Sequence, residues 1–178
     1  FLSQALGARK YSDAEKMAAT GFLSPFILGA ITGLLGLIFI TPLSKAIGAT
    51  PDILSLSNEY LFFILIGTPF MMSALALNSQ LRLQGNANYA MIGIISGAVL
   101  NIILDSIFIL DMGMGVKGAS LATLISQIVS WLILLIGTFR SGNVHIRLRN
   151  FSPNFAHYKK ILDGGLPSLC RQALACVA

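Results

Sequence analysis

The chain has 178 residues, 55% of them hydrophobic and only 11% charged, and it carries 12 Lys and Arg against 7 Asp and Glu. An ordinary soluble domain has about 25% charged residues, so this composition excludes a soluble enzyme or a nucleic-acid-binding domain. Four charge-free runs cover most of the chain, and each is at least as long as the about 20 residues that cross a bilayer as a helix. They are residues 17–44, 60–81, 83–104 and 118–139. We therefore expect an integral protein of the cell membrane, in contact with lipid and not with nucleic acid.

The first span is expected to begin near Asp13, because residues 12–15 have the form of a capping box. Its far end is predicted at Thr41 and Pro42, since the residue before a proline disfavours the α conformation. After a short loop, Pro51 marks the start of a new helix, where proline fits the first helical position.

The second span covers residues 60–81 and has Pro69 near its middle. A proline removes one backbone hydrogen bond and kinks a helix. In lipid the freed carbonyl needs another partner, and we expect a neighbouring helix or the Thr68 hydroxyl to supply it. We interpret the kink as static, with a flexing point as the alternative.

The third span runs from about residue 89 to 110 and the fourth from 118 to 139. The connection between them, 111–117, is so tight that the two helices must form an antiparallel hairpin. A basic loop follows at 140–160, and a fifth helical pattern begins at about 158–162. We expect the chain to be a piece of a longer protein, because it begins without Met and ends inside an apolar pattern.

Lys and Arg are distributed unevenly between the two ends of the predicted helices. The connections on the side away from the N-terminus carry only Lys45 and Lys117. Because positively charged connections remain in the cytoplasm, we predict a multi-pass protein whose N-terminal side is cytoplasmic. The connections on that N-terminal side carry nine basic residues: Arg9, Lys10, Lys16, Arg82, Arg140, Arg147, Arg149, Lys159 and Lys160.

Asp105 is the one acidic residue that does not fall in a loop or at a helix end. It lies within an apolar segment, residues 98–110, and a carboxylate inside a membrane is a functional hypothesis by default. The alternative is a carboxylate that reaches the outer interface, about 8 Å away at 1.5 Å per residue. We favour the functional interpretation.

Small and polar residues recur every four positions on the third span, at Gly93, Gly97, Asn101 and Asp105. Residues four apart share a helix face, and glycines on such a face allow two helices to pack closely. Asn101 and Asp105 place two oxygen-bearing side chains one turn apart, which suits a hard cation or a shared proton.

Counting along the hairpin predicts which residues of the fourth span lie at the same depth as Asn101 and Asp105 of the third span. Counted from Met114, Asp105 is nine residues before and Thr123 nine after, and Asn101 is thirteen before and Gln127 thirteen after. We therefore predict a polar pocket of Asp105, Asn101 and Thr123, with Gln127 as a further candidate. For Gln127 we favour plain hydrogen bonding between helices instead, which is common in membranes.

Two further residues of the fourth span have structural interpretations. Ser130 is expected to hydrogen-bond between helices, and Trp131 is expected to pack. No His, Cys or Ser–His arrangement lies inside a span, so we expect neither an enzyme nor a bound cofactor.

Several motifs in order resemble the multidrug and toxic compound extrusion (MATE) transporter family. They are RLQG at 82–85, NIILD at 101–105, GMGVKGA at 113–119 and LATLISQ at 121–127, with SQALGA at 3–8 and GLP at 165–167. The resemblance implies an all-α polytopic membrane helix bundle with four complete transmembrane helices and the start of a fifth. Residues 1–139 would hold helices three to six of the N-terminal lobe with the preceding cytoplasmic connection, 140–160 the basic loop between lobes, and 161–178 the start of helix seven.

The same resemblance implies a function. Such a protein would export small organic cations or drugs in exchange for Na⁺ or H⁺, would need no cofactor beyond this coupling ion, and would be a monomer in its full-length form. A cation or proton site of the N-terminal lobe would contain Asp105, Asn101 and Thr123, together with an Asp of the first helix, which this chain does not include. Substrate-binding residues stay unknown. The alternatives are a lipid-linked oligosaccharide flippase of the same superfamily and a non-transporting membrane scaffold.

Overall fold

The computed structural model describes the backbone of residues 11–140 and the side chains of residues 20–140. The predictions for the opening segment, for the basic loop beyond Arg140 and for the fifth helical pattern lie outside the described residues. The division of the chain at residues 139 and 160 therefore stays a prediction.

The described chain forms five α-helices and one π-helical segment. Their bounds are α1 Tyr11–Ile38, α2 Ile40–Ala46, α3 Leu54–Leu83, α4 Ala87–Ser106, the π segment Ile107–Asp111, and α5 Gly115–Arg140. Four stretches are long and apolar enough to cross a bilayer: Thr20–Ile38, Leu54–Leu83, Ala87–Asp111 and Gly115–Arg140. The predicted all-α membrane bundle with four spans is therefore confirmed, and no strand occurs between residues 11 and 140.

Two predicted helix ends differ from the structure. The first span ends at Ile38, and Pro42 lies in the first turn of the separate helix α2. The first amides of a helix have no partner within it, so a proline there loses no hydrogen bond. The next helix begins at Leu54 rather than at Pro51, because residues 51–53 form a turn closed by the Ile53 amide on the Thr50 carbonyl, at 3.1 Å.

Helix α3 lies at the centre of the bundle. It packs against both α1 and α5, and α4 packs chiefly against α5. Small polar side chains such as Ser73 and Thr138 are fully buried between these helices beside a few leucines, Leu77, Leu81 and Leu134. In contrast, Ile38 is 72% and Leu110 77% exposed. Exposed apolar side chains are expected in lipid, where they gain nothing by leaving the surface and close packing of small residues holds helices together.

Helix α1 packs against the proline kink of α3. Pro69 cannot donate to the Leu65 carbonyl, and the Thr68 hydroxyl donates to Ile64 O instead, at 3.2 Å. Gly33 of α1 lies against the Leu65 carbonyl oxygen, because a Cβ built on Gly33 would be 2.6 Å from it. Of the two partners expected for the freed carbonyl, the neighbouring helix is therefore the one that approaches it.

The turn of the hairpin between α4 and α5 is not centred on Met114, the midpoint assumed from the sequence. The Met114 amide donates to Phe108 O at 2.9 Å, so the chain has already turned back when it reaches Met114. Gly113 makes this reversal possible with a φ of +64°, a value that glycine adopts without strain. The π segment between Asp105 and this turn adds a wide turn that hydrophobic periodicity does not reveal. The contacts of Gly97 with Ser130 and of Tyr89 with Gly137 centre the hairpin near Gly113, about one residue from the predicted centre.

Candidate cation and substrate site

A cleft of about 280 Å³ lies between α3, α4 and α5. One part of its wall is apolar, with Met71 and Leu75 of α3 and Ile94 of α4. Polar residues of all three helices also line the cleft. The polar members of the wall are Asn78, Asn101, Thr123, Ser126, Gln127 and Ser130.

Asn101 and Thr123, two of the three predicted cation ligands, are in contact at this wall. Asn101 Nδ2 donates to Thr123 Oγ1 at 3.4 Å, while Thr123 Oγ1 donates to Ala119 O at 2.9 Å. The two donations leave Asn101 Oδ1 without a hydrogen bond from any described residue. Thr123 therefore contacts Asn101, and not Asp105, which the count along the hairpin had placed opposite it.

Asp105 lies one turn further along α4, toward the hairpin, and does not form part of the cleft wall. Its side chain is partly buried, and its Oδ1 is buried without a hydrogen-bond partner among the described residues. A carboxylate oxygen in this state is unusual, because buried polar atoms are nearly always paired. The structure therefore brings Asn101 and Thr123 together and leaves Asp105 adjacent to them, with an unused oxygen.

Gln127 does not form the interhelical hydrogen bond that the sequence favoured. Its Oε1 is buried and has no partner among the described residues, and it lies against Gly67 of α3, where an added Cβ would collide with it. Gly67 has no side chain that could donate a hydrogen bond, so the side-chain amide of Gln127 packs against the Gly67 backbone without a partner. Gln127 is consequently a cleft residue with a free acceptor, and the preferred interpretation was wrong.

Ser130 and the two glycines of the α4 stripe have the packing roles predicted for them. Ser130 Oγ donates to Gly93 O at 2.8 Å. A Cβ on Gly97 would lie 2.8 Å from the Ser130 Cβ, and one on Gly93 would collide with Leu134. These positions allow α4 and α5 to approach closely, and they set the distance across which Asn101 reaches Thr123.

Sequence reasoning missed two residues of the cleft. Asn78 donates through Nδ2 to Ala90 O at 2.8 Å and joins α3 to α4 at the cleft. Ser126 is 4% exposed, and its Oγ is buried without a partner. Asn78 could have been found as an amide inside the charge-free run 60–81, whereas a serine inside a span carries no comparable signal.

Trp131 packs as predicted, with three aromatic neighbours. Its ring lies 5.4 Å from that of Phe70, 6.2 Å from Phe26 and 6.4 Å from Phe22, measured between centroids. Its Nε1 also donates to Ser73 Oγ at 3.0 Å. This cluster ties α1, α3 and α5 together next to the cleft.

Replacing Ser73 with Ala is expected to destabilise the bundle by about 1 kcal/mol, because the partly buried Trp131 N–H would lose its acceptor. The measurement is the thermal unfolding midpoint of the purified full-length protein. Ser79→Ala is the matched control, since that hydroxyl is exposed and bonds only to its own helix at Leu75 O. Equal midpoints for the two variants would contradict a structural role for the Ser73 bond.

Comparisons with known proteins place this arrangement in a family. Residues 1–107 match the family model for MatE. The multidrug export protein MepA of Staphylococcus aureus is 29% identical over 175 residues, which are 98% of this chain and 39% of that protein. The resemblance drawn from the motifs is confirmed by these matches.

Solved structures of transporters also resemble this chain in fold and sequence. The inward-facing conformation of a multidrug resistance MATE family transporter of the MOP superfamily is 37% identical, has a TM-score of 0.87 and is matched over 94% of this chain and 38% of its own. A MOP superfamily transporter from Pyrococcus furiosus, with a binding pocket described as reversed in polarity, is 37% identical with a TM-score of 0.84, over 94% of this chain and 37% of its own. The chain thus spans less than half the length of these relatives. With its family model matched over more than half of its residues, the chain belongs to the MatE family.

Proposed function

We propose that the full-length protein is an antiporter that exports small organic cations in exchange for Na⁺ or H⁺. The coupling ion would bind in the N-terminal lobe at Asp105, Asn101 and Thr123. The observation that carries this proposal is the buried, unpaired Oδ1 of Asp105, one turn from the Asn101–Thr123 pair in the cleft wall.

The chemistry of Asp105 supports a bound cation or proton. An isolated ionised carboxylate is costly inside a membrane, and no described Lys or Arg forms an ion pair with it. A proton or a Na⁺ ion would neutralise the charge. Side chains at i and i+4 share a helix face, so the oxygens of Asn101 and Asp105 can serve one hard cation, which prefers oxygen ligands.

The position of the Asn101–Thr123 pair supports exchange rather than simple binding. Both residues line the cleft of about 280 Å³, and both are candidate ligands of the coupling ion. Because one set of groups would serve ion and substrate, occupancy by one can lower affinity for the other. Such a coupling free energy between two ligands is what antiport requires.

The setting of the proposed transporter follows from the helices and the charge distribution. We propose a monomer in the cell membrane, with the N-terminal side of this chain in the cytoplasm. The basic residues concentrated on that side of the described spans, among them Arg82 and Arg140, support this orientation.

The experiment that tests the function uses the full-length protein in liposomes loaded with ethidium. A Na⁺ gradient and a pH gradient are imposed separately, and ethidium release is followed by fluorescence. We expect one of the two gradients to drive release well above that from protein-free liposomes.

Two results would contradict the proposal. Release that neither gradient accelerates would favour a non-transporting scaffold. Movement of a fluorescent lipid-linked sugar across the bilayer, without ethidium release, would favour the flippase.

A further inference from the structure

A second cavity, of about 330 Å³, lies away from the candidate transport site. It is lined by Ile40 of α2, by Asn58, Glu59, Phe62 and Phe63 of α3, and by Lys117 of α5. Its volume is at the lower end of the range of about 300–1,000 Å³ typical of small-molecule sites. It therefore suits a group the size of a lipid headgroup rather than a complete lipid.

The cavity is at the level where the helices leave the hydrocarbon. Glu59 directly precedes the charge-free run 60–81, and Lys117 directly precedes the run 118–139. Helices α3 and α5 pack against each other in the same direction, so their two charged residues stand at one membrane surface. Charged groups at the end of an apolar run lie at the headgroup level.

Two opposite charges face this cavity without neutralising each other. Glu59 and Lys117 both line it and both are exposed, and among the described residues no ion pair joins them. A site for a simple cation or a simple anion would not be expected to contain side chains of both signs. A ligand with a positive and a negative group complements both.

The remaining wall suits the apolar part of an amphiphile. Phe62 is 45% exposed, and its ring stands edge-on to that of Phe63 at 5.4 Å. Such rings also attract an ammonium group over their faces. The apolar surface thus begins directly beside the two charges, as the acyl chains of a lipid begin beside its headgroup.

The wall formed by α2 is held in place by side-chain hydrogen bonds. Ser44 Oγ donates to Asn58 Oδ1 at 2.6 Å, and Asn58 Nδ2 donates to Thr41 Oγ1 at 3.5 Å. These bonds fix α2 on α3, so that Ile40 closes one side of the cavity. The cavity is therefore enclosed by three helices, α2, α3 and α5, whose side chains form its wall.

The geometry points to a binding site for the headgroup of a zwitterionic phospholipid at the outer ends of α3 and α5. The Lys117 ammonium binds the phosphate, the Glu59 carboxylate binds the ammonium of the headgroup, and the acyl chains follow Phe62 and Ile40 toward the membrane. This site is independent of the proposed transport reaction, because none of its residues belongs to the cleft of Asn101 and Thr123.

The test is lipid binding to the full-length protein, measured by native mass spectrometry. Phosphatidylethanolamine and phosphatidylglycerol with identical acyl chains are titrated separately. Charge-assisted hydrogen bonds of this kind correspond to about tenfold in affinity. We expect Lys117→Ala to weaken both lipids about tenfold, and Glu59→Gln to weaken phosphatidylethanolamine alone by a similar factor.

Matched controls lie at the same end of the bundle but outside the cavity. Lys45→Ala and Asp52→Asn remove the same charges from exposed positions and are expected to leave both lipids bound as in wild type. Asp105→Asn is also expected to leave lipid binding unchanged, so that failure of this proposal and failure of the transport proposal give different results.

Three outcomes would overturn the inference. In the first, Glu59→Gln binds phosphatidylethanolamine as tightly as wild type. In the second, Lys45→Ala weakens lipid binding as much as Lys117→Ala, which would indicate general surface attraction. In the third, Glu59→Gln weakens binding of tetraphenylphosphonium but of neither lipid, which would assign the cavity to an organic cation.

Discussion

Replacing Asp105 with Asn is expected to reduce gradient-driven ethidium transport by the full-length protein to the level of protein-free liposomes. Asn has nearly the same shape as Asp but neither releases a proton nor carries the charge that would hold Na⁺. The buried Oδ1 of Asp105 has no hydrogen-bond partner among the described residues, so the substitution breaks no contact that stabilises the bundle. A neutral amide is also less costly than a carboxylate within a membrane, and we expect the variant to be at least as stable as wild type.

The control for this variant is Asp111→Asn. Asp111 ends the π segment and is exposed, so the same chemical change is made a few residues away at the surface. We expect wild-type transport from it. Transport is measured in liposomes with each gradient in turn, and stability as the unfolding midpoint in detergent. Wild-type transport by Asp105→Asn, or an equal loss in both variants, would remove Asp105 from the coupling mechanism.

Replacing Gly33 with Ala is expected to destabilise the contact between α1 and α3. The added Cβ would lie 2.6 Å from the Leu65 carbonyl oxygen, which belongs to the backbone and cannot turn away as a side chain can. Helices α1 and α3 would have to separate at the Pro69 kink. Overpacking of this kind costs about 1–3 kcal/mol. Gly29→Ala should act in the same direction, since its Cβ would lie 2.7 Å from the Pro69 Cα.

Gly137→Ala is the matched control for the glycine prediction. It changes a buried helical glycine in the same way, but the nearest atom to the added Cβ is 3.4 Å away, on Tyr89. Alanine favours a helix by up to about 1 kcal/mol over glycine, so this variant should be as stable as wild type or more so. The measurement is the fraction of full-length protein that stays monodisperse in detergent after heating. If Gly33→Ala is as heat-resistant as Gly137→Ala, helices α1 and α3 can separate to accommodate the added methyl group at little cost in stability.

The spans were predictable because the bilayer imposes a length and a composition on every helix that crosses it. The predicted fourth span, residues 118–139, lies within three residues of α5 at each end. The limits of α2 and α3 were not predictable in this way. Leu54–Glu59 continues α3 beyond the charge-free run, because a helix can extend into the headgroup region where charges are tolerated.

The candidate site was predictable in its members and not in its arrangement. Asn101 and Asp105 stand out because polar groups are rare within spans, and Thr123 was reached by counting along the hairpin. That count assumed a symmetrical turn about Met114, whereas the π segment and the bond from Met114 to Phe108 move the centre of the turn. Hydrophobic periodicity cannot reveal a single wide turn inside a helix, so the contact between Asn101 and Thr123 emerged only in three dimensions.

The amino-acid sequence by itself determined the class of the protein, the number of described spans and the residues with unusual polarity, because solvation in lipid acts on each segment separately. Tertiary structure decided which of these residues meet. It separated Asp105 from the cleft wall, placed the Gln127 acceptor against Gly67, and brought Glu59 and Lys117 to one cavity from positions far apart in the chain. These contacts depend on the distances and rotations at which helices pack, which small residues on several helices set jointly.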